Sequence, residues 1–211
     1  MWGIEASWIF FVVASLALIL TPGQDMILVM SRAVAQGSRA GVATAAGVSV
    51  GLVGHTLLAT LGIGAILQAS EWLYALLKLV GAAYLIYLGI GLLRTKRADV
   101  ALESSPPRSL GRLFFDGAFS NVSNPKVAVF YFAFLPQFVS PGAFRPTLTI
   151  FALGLSFALL TLVVKAVVGV CAGVLSTWLR SRPSVLAWVY RSSGAVLIAL
   201  GVKLACERRT V

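Results

Sequence analysis

The sequence predicts an all-α fold: a polytopic membrane protein with six transmembrane helices, arranged as two inverted three-helix repeats with broken first helices. Three observations carry that expectation. The composition is too apolar for a water-soluble domain. The apolar residues fall into six long runs. Two of those runs are interrupted by a proline motif beside a charged residue.

Of the 211 residues, 59% are hydrophobic and 11% are charged, and the mean hydropathy is +0.93. A soluble domain is typically about 45–50% apolar and about 25% charged. The one sizeable polar stretch, Arg94 to Arg112, is too short to bury a core of its own. The net charge of +10 does not point to nucleic acid, because the positive residues sit at the ends of apolar runs. Asymmetric Lys and Arg at span ends is what membrane insertion requires. The stretch TKRADVALESSPPRSLGR is also mixed in sign and has no aromatic residue, unlike a nucleic-acid surface. Cys171 and Cys206 have neither metal-like spacing nor a disulfide pattern; both are expected to be small buried hydrophobes.

The apolar runs cover approximately 6–30, 41–67, 72–93, 114–139, 147–176 and 186–205. At about 1.5 Å per residue, each is long enough to cross about 30 Å of hydrocarbon. None alternates polar with apolar, so a β-barrel is excluded. The first run has Glu5 and no basic residue ahead of it, so it is expected to be kept as a span and not cleaved as a signal peptide. The connection after the first run carries Arg32 and Arg39. The one after the third carries Arg94, Lys96, Arg97, Arg108 and Arg112, and the one after the fifth Arg180 and Arg182. These three connections are expected in the cytoplasm, which leaves both termini outside; the tail residues Arg208 and Arg209 oppose this only weakly.

An internal echo divides the chain. LIYLGIGL at 85–92 resembles LIALGVKL at 197–204; Gly47 and Gly51 are echoed by Gly169 and Gly173; Thr21-Pro22 is echoed by Asn124-Pro125. The three matches fall in the same order. They predict one three-helix repeat over 1–93, a basic loop over 94–113, and a second repeat over 114–211. An odd number of crossings per repeat makes the second inverted, a common plan in secondary transporters.

The interruptions read TPGQD at 21–25 and SNPK at 123–126. Proline inside a helix removes a hydrogen bond, yet it suits the first position of a helix. Thr21 is expected as N-cap with Pro22 at the first position and Gln24 at the third, a variant capping box. Asn124 is expected as N-cap with Pro125 first. A helix restarting inside a membrane presents free N–H groups and a positive dipole end, which together suit an anion.

Ionisable residues inside spans are expensive and mark interior sites. Asp25 follows the first break and Lys126 the second; His55 lies near the centre of the second run and Lys165 well inside the fifth. Lys78 lies near a span end, where it can snorkel, and Glu71 falls in a short turn. The expected substrate-binding set is Thr21, Pro22, Gly23, Asp25, Asn124, Pro125 and Lys126. It suits a small zwitterion, with Asp25 receiving an amine and Lys126 and the helix ends a carboxylate. Asp25 and His55 are the candidates for carrying a coupling proton. Glycines 47, 51 and 54 could bring helices together or mediate a homodimer.

These residues resemble the lysine/homoserine exporter family (LysE/RhtB type) of bacterial amino-acid efflux proteins. The resemblance rests on TPGQD at 21–25, Gly37-Ser38-Arg39-Ala40-Gly41, GAAYLIYLGIGLLR at 81–94 and NPKVAVFYFAFLPQFV at 124–139, and it runs in order over nearly the whole chain. Family members typically carry Pro where this chain has Gln24. The resemblance implies proton-coupled export of an amino acid across the bacterial cytoplasmic membrane. The alternative is a channel or exporter for another small solute or a metal cation. One Asp and one His far apart in sequence do not suggest a dedicated metal site. No catalytic triad, HExxH or phosphate-binding glycine loop is present, so neither an enzyme nor a cofactor is expected.

Overall fold

The computed structural model describes residues 2–69, 71–94, 107–139, 145–175 and 183–206. Lys96, Arg97, Arg180, Arg182 and the tail arginines lie outside the described residues, as does the side chain of Glu71. Among the described residues the chain is helical, with no strand. Among the described residues the helices group into six legs. Trp2–Leu20 (α1) and Gln24–Gln36 (α2) form the first leg, bent by 57° at the break. Ser38–Ala69 (α3) and Glu71–Leu93 (α4) form the second and third. The fourth runs through Leu110–Val122 (α5), Pro125–Val129 (α6), a π turn at Phe130–Phe134 and a 3-10 turn at Leu135–Phe138. Pro146–Val174 (α7) and Pro183–Cys206 (α8) are the fifth and sixth.

Local chemistry sets the boundaries. Gly37, with φ of 86°, turns the chain between α2 and α3, in the left-handed region that favours glycine. Ser109 caps α5 by accepting from the Arg112 N–H at 3.3 Å. Pro136 has no N–H with which to extend an α ladder, and there the fourth leg changes to π and 3-10 turns.

At one end, which carries the described basic cluster, the Gln36 amide donates to the Arg108 carbonyl at 2.9 Å and Ser38 donates to the Val170 carbonyl at 3.2 Å. This basic end therefore gathers the end of α2, the start of α3, the residues just before α5 and the last turns of α7. At the other end, Phe10 and Phe11 of α1 pack on Phe134 and Phe138, with ring centroids 5.2–6.2 Å apart. Lys203 lies over the Phe10 ring, 3.0 Å from its centroid. Four stretches are long and apolar enough to cross a bilayer: Ser38–Gly62, Ala75–Leu93, Pro146–Val174 and Ala187–Cys206; the bent α1–α2 pair makes a fifth. The broken fourth leg is not among them. The chain is a multi-pass membrane protein, and large apolar side chains such as Leu61, Phe119, Leu159 and Trp188 point outward where lipid is the solvent.

Two contacts are reciprocal. A β-carbon on Gly89 would lie 2.6 Å from the Gly194 carbonyl oxygen and 2.7 Å from Ile198 Cγ1. One on Gly201 would lie 2.8 Å from the Ala82 oxygen and 2.7 Å from Ile86 Cγ1. One constant offset relates Ala82, Ile86 and Gly89 to Gly194, Ile198 and Gly201. The α4–α8 crossing is thus self-complementary, as an interface across a two-fold axis must be.

Three expectations change. Cys171 and Cys206 are exposed, not buried: in a bilayer protein a small apolar side chain can face lipid at little cost. Gly47 and Gly51 lie against Phe114 and Asn121 of α5, whereas Gly54 has open space beside it. Two of the three glycines are therefore used within the chain. Thr21 is not the N-cap of α2. Gly23 holds that position, without a side-chain cap. The Thr21 N–H and hydroxyl both bond back to the Ala17 carbonyl, at 3.1 and 2.7 Å, closing α1. Pro22 thus occupies the gap and not the first turn, and Gln24 begins α2.

Candidate functional site

The two breaks meet inside the helical bundle. Asn121, three residues before Asn124, abuts Gly51 near the middle of α3. Asn124 behaves as expected: its side-chain oxygen accepts from the Lys126 N–H at 3.0 Å, with Pro125 at the first helical position. The cap satisfies the start of α6 internally, while the start of α2 has no side-chain partner.

The charges cross between the breaks. Asp25, on the first turn of α2, reaches into the fourth leg. It accepts from the Asn121 amide at 2.7 Å and from the Ser120 hydroxyl at 3.2 Å. Lys165 of α7 lies 3.4 Å away on the same carboxylate. In return Lys126, just past the second break, donates to the Thr21 carbonyl at 3.2 Å and passes beside Gly23. Asp25 is 4% exposed and Lys165 5%. A buried carboxylate survives only when paired and hydrogen-bonded, and Asp25 has three partners from two other legs.

His55 is near this centre but one residue removed. Its Nε2 lies 3.1 Å from the Asn121 carbonyl oxygen, while the Asn121 side chain holds Asp25. The imidazole stacks on Tyr131, with centroids 5.7 Å apart. Tyr131 donates to the Gly154 carbonyl at 3.1 Å and lies 3.1 Å from the Thr56 hydroxyl. His55 Nδ1, Asn121 Oδ1 and Thr161 Oγ1 are buried with no hydrogen-bond partner among the described residues.

Two cavities adjoin the centre. One of about 20 Å³ lies among Thr21, Asp25, Asn121, Lys126, Thr161 and Lys165, room for little more than one water. The other, about 750 Å³, is open and lined by Pro22, Gly23 and Asn124–Lys126, with Tyr84, Tyr87 and Arg94 of the third leg. That volume is within the range of small-molecule sites. Lys126 lines both cavities. From the breaks the larger cavity runs along α4 toward Arg94, whereas the opposite end is packed with phenylalanines.

All seven residues expected to bind substrate thus border one of these cavities. The expectation omitted Lys165, Ser120 and Asn121. Lys165 was visible as a charge inside a span, but nothing in the sequence paired it with Asp25. Ser120 and Asn121 give no sequence signal, since uncharged polar residues are ordinary near a helix end. Among the described residues no three His, Cys, Asp or Glu side chains come together as a metal site.

Comparison with known proteins agrees with this architecture. Residues 16–208 match the family model described as LysE type translocator. The chain is 32% identical to a homoserine/homoserine lactone efflux protein of Salmonella typhimurium, covering 95% of this chain and 97% of that protein. It is also 32% identical to an uncharacterized membrane protein of Pseudomonas aeruginosa, covering 96% of each. A Vibrio cholerae membrane protein, likewise uncharacterized, is 28% identical over 95% of this chain and 97% of its own length. No solved structure matches the chain. With a family match over most of its length and a 32% identical efflux protein aligned over 95% of it, the chain is a translocator and not an enzyme: it belongs to the LysE type translocator family.

Proposed function

We propose that this protein exports an amino acid or a close derivative, homoserine and its lactone being the first candidates, across the bacterial cytoplasmic membrane by proton antiport. The observation that carries the reading is the exchange of charges between the two breaks, Asp25 into the fourth leg and Lys126 into the first. A zwitterion entering the 750 Å³ cavity meets Lys126, and the uncapped start of α2 beside it, with its carboxylate. Its ammonium then competes with Lys165 for Asp25. A proton on Asp25 would cancel its hold on either cation, which couples release of substrate to uptake of the proton. His55, linked to Asp25 through Asn121, is the second proton carrier.

In this reading all six legs cross the membrane, 1–93 and 114–211 are inverted repeats, and the basic end is cytoplasmic with both termini outside. The reciprocal Gly89 and Gly201 contacts support the repeats. The open cavity toward Arg94 and the closed phenylalanine cluster correspond to an inward-facing state, one of the two that alternating access requires.

The test is release from cells preloaded with a homoserine-containing dipeptide. Expression of the protein should speed appearance of homoserine in the medium, and Asp25→Asn should abolish the gain. An uncoupler should slow release; release indifferent to the uncoupler rejects proton coupling. Unchanged release of every amino acid, with altered metal tolerance, would instead favour a cation exporter.

A further inference from the structure

A second ionic cluster lies at the basic end, apart from the paired breaks. Asp116 of α5 is 2.5 Å from Arg108, 3.3 Å from Arg112 and 3.8 Å from Arg32 of α2. One carboxylate cannot neutralise three guanidinium groups, so among the described residues the cluster keeps an excess of two positive charges. Arg108 and Arg112 reach it from the exposed side. Arg32 differs: its side chain is 8% exposed, and its Nε and Nη1 are buried with no hydrogen-bond partner among the described residues. At 3.8 Å its contact with Asp116 is beyond hydrogen-bond length. A buried guanidinium with unused donors is costly, and it is a strong receptor for a carboxylate.

Arg32 lines an open cavity of about 490 Å³ with Ser31, Gln24, Arg108, Asp116 and Ser120. That cavity leads toward the centre. Ser120 donates to Asp25, and Gln24 also lines the larger cavity between the breaks.

We infer that Arg32 is the anion receptor of a separate loading site at the basic end, which takes the carboxylate of an amino acid before it reaches the paired breaks. The carboxylate pairs with the Arg32 guanidinium from the cavity it lines, and Arg108 adds charge from the rim. The inference rests on the export reading only for its substrate class and for the side of the membrane; the anion site itself stands on the geometry. Ligands with a free carboxylate should need Arg32, and those lacking one should not.

The experiment uses the full chain in nanodiscs, with Cys171 and Cys206 replaced by Ser and a single reporter, Ser31→Cys, in the cavity wall. Its rate of modification is measured with an anionic and a cationic methanethiosulfonate reagent. The anionic reagent should be favoured by about ten-fold relative to a free thiol, as expected of a focused positive field. Homoserine should slow it, while homoserine lactone, which has the ammonium but no free carboxylate, should not. Arg32→Gln should weaken the preference and remove the protection; Arg32→Lys, which keeps the charge, should retain the preference. Homoserine protection that survives Arg32→Gln overturns the inference, as does equal protection by lactone and homoserine. If Arg32→Gln does not fold, Arg32→Lys and the homoserine–lactone comparison decide. Failure of the export reading looks different: no amino acid leaves preloaded cells, while the Arg32-dependent anion preference persists.

Discussion

At the scale of single residues, the centre is a buried carboxylate shared among competing donors. Removing one member of a buried ion pair leaves an uncompensated charge, at a cost of about 3–5 kcal/mol. Lys165→Met should therefore lower the thermal unfolding temperature of the purified protein substantially. Asp25→Asn with Lys165→Met should recover much of that loss, because the double variant buries no charge at this pair. Simple additivity of the two effects in a double-mutant cycle would show that the pair is not coupled. Asp25 was legible in the sequence because a carboxylate in an apolar run has few innocent explanations. Its partners were not, since Ser120, Asn121 and Lys165 come from legs about a hundred residues away or more, and pairing over such separations follows from packing alone.

At the scale of elements, the two breaks share a proline and differ in construction. Asn124 caps α6 with its own side chain, so Asn124→Ala should cost about 1 kcal/mol, measured as a lower denaturation midpoint. Thr21→Val should have less effect on stability, because the Thr21 hydroxyl adds only a second bond to the Ala17 carbonyl already held by its N–H. A loss at Thr21 as large as that at Asn124 would mean that Thr21 also supports α2. The sequence pattern identified both breaks because Pro and Gly punctuate helices. It assigned the cap wrongly at the first break because Thr can bond either forward, as a cap, or back to the residue four earlier. The choice is made by backbone angles that the residue type does not fix.

At the scale of the whole molecule, the self-complementary α4–α8 crossing makes a symmetric prediction. Gly89→Leu and Gly201→Leu each drive a side chain into the facing backbone, at 2.6 and 2.8 Å respectively for the first atom alone. Their losses of stability should match in kind and size, measured by thermal unfolding in the same detergent. A severe effect at one position with none at the other would argue against an axis relating the halves. The distribution of charge belongs to this scale too. Gln36, Ser38, Arg108 and Val170 meet at one end, so cysteines at positions 38 and 108 should react with impermeant reagents from the same side of the membrane.

The sequence by itself determined that this chain lies in a membrane as helices, where two of them break, and which charges are too expensive to be incidental. Those are consequences of local composition: hydrophobic length, the missing N–H of proline, and the cost of desolvating a charge. Only the tertiary structure decided which legs pass the broken ends together, that Lys165 and Asn121 hold Asp25, that His55 is linked through Asn121, and that Arg32 keeps unused donors at the basic end. Each of these depends on which helix faces which, and in a uniformly apolar chain the fit of small residues such as Gly41, Gly47 and Gly89 against their neighbours settles that, with no separate mark in the local pattern.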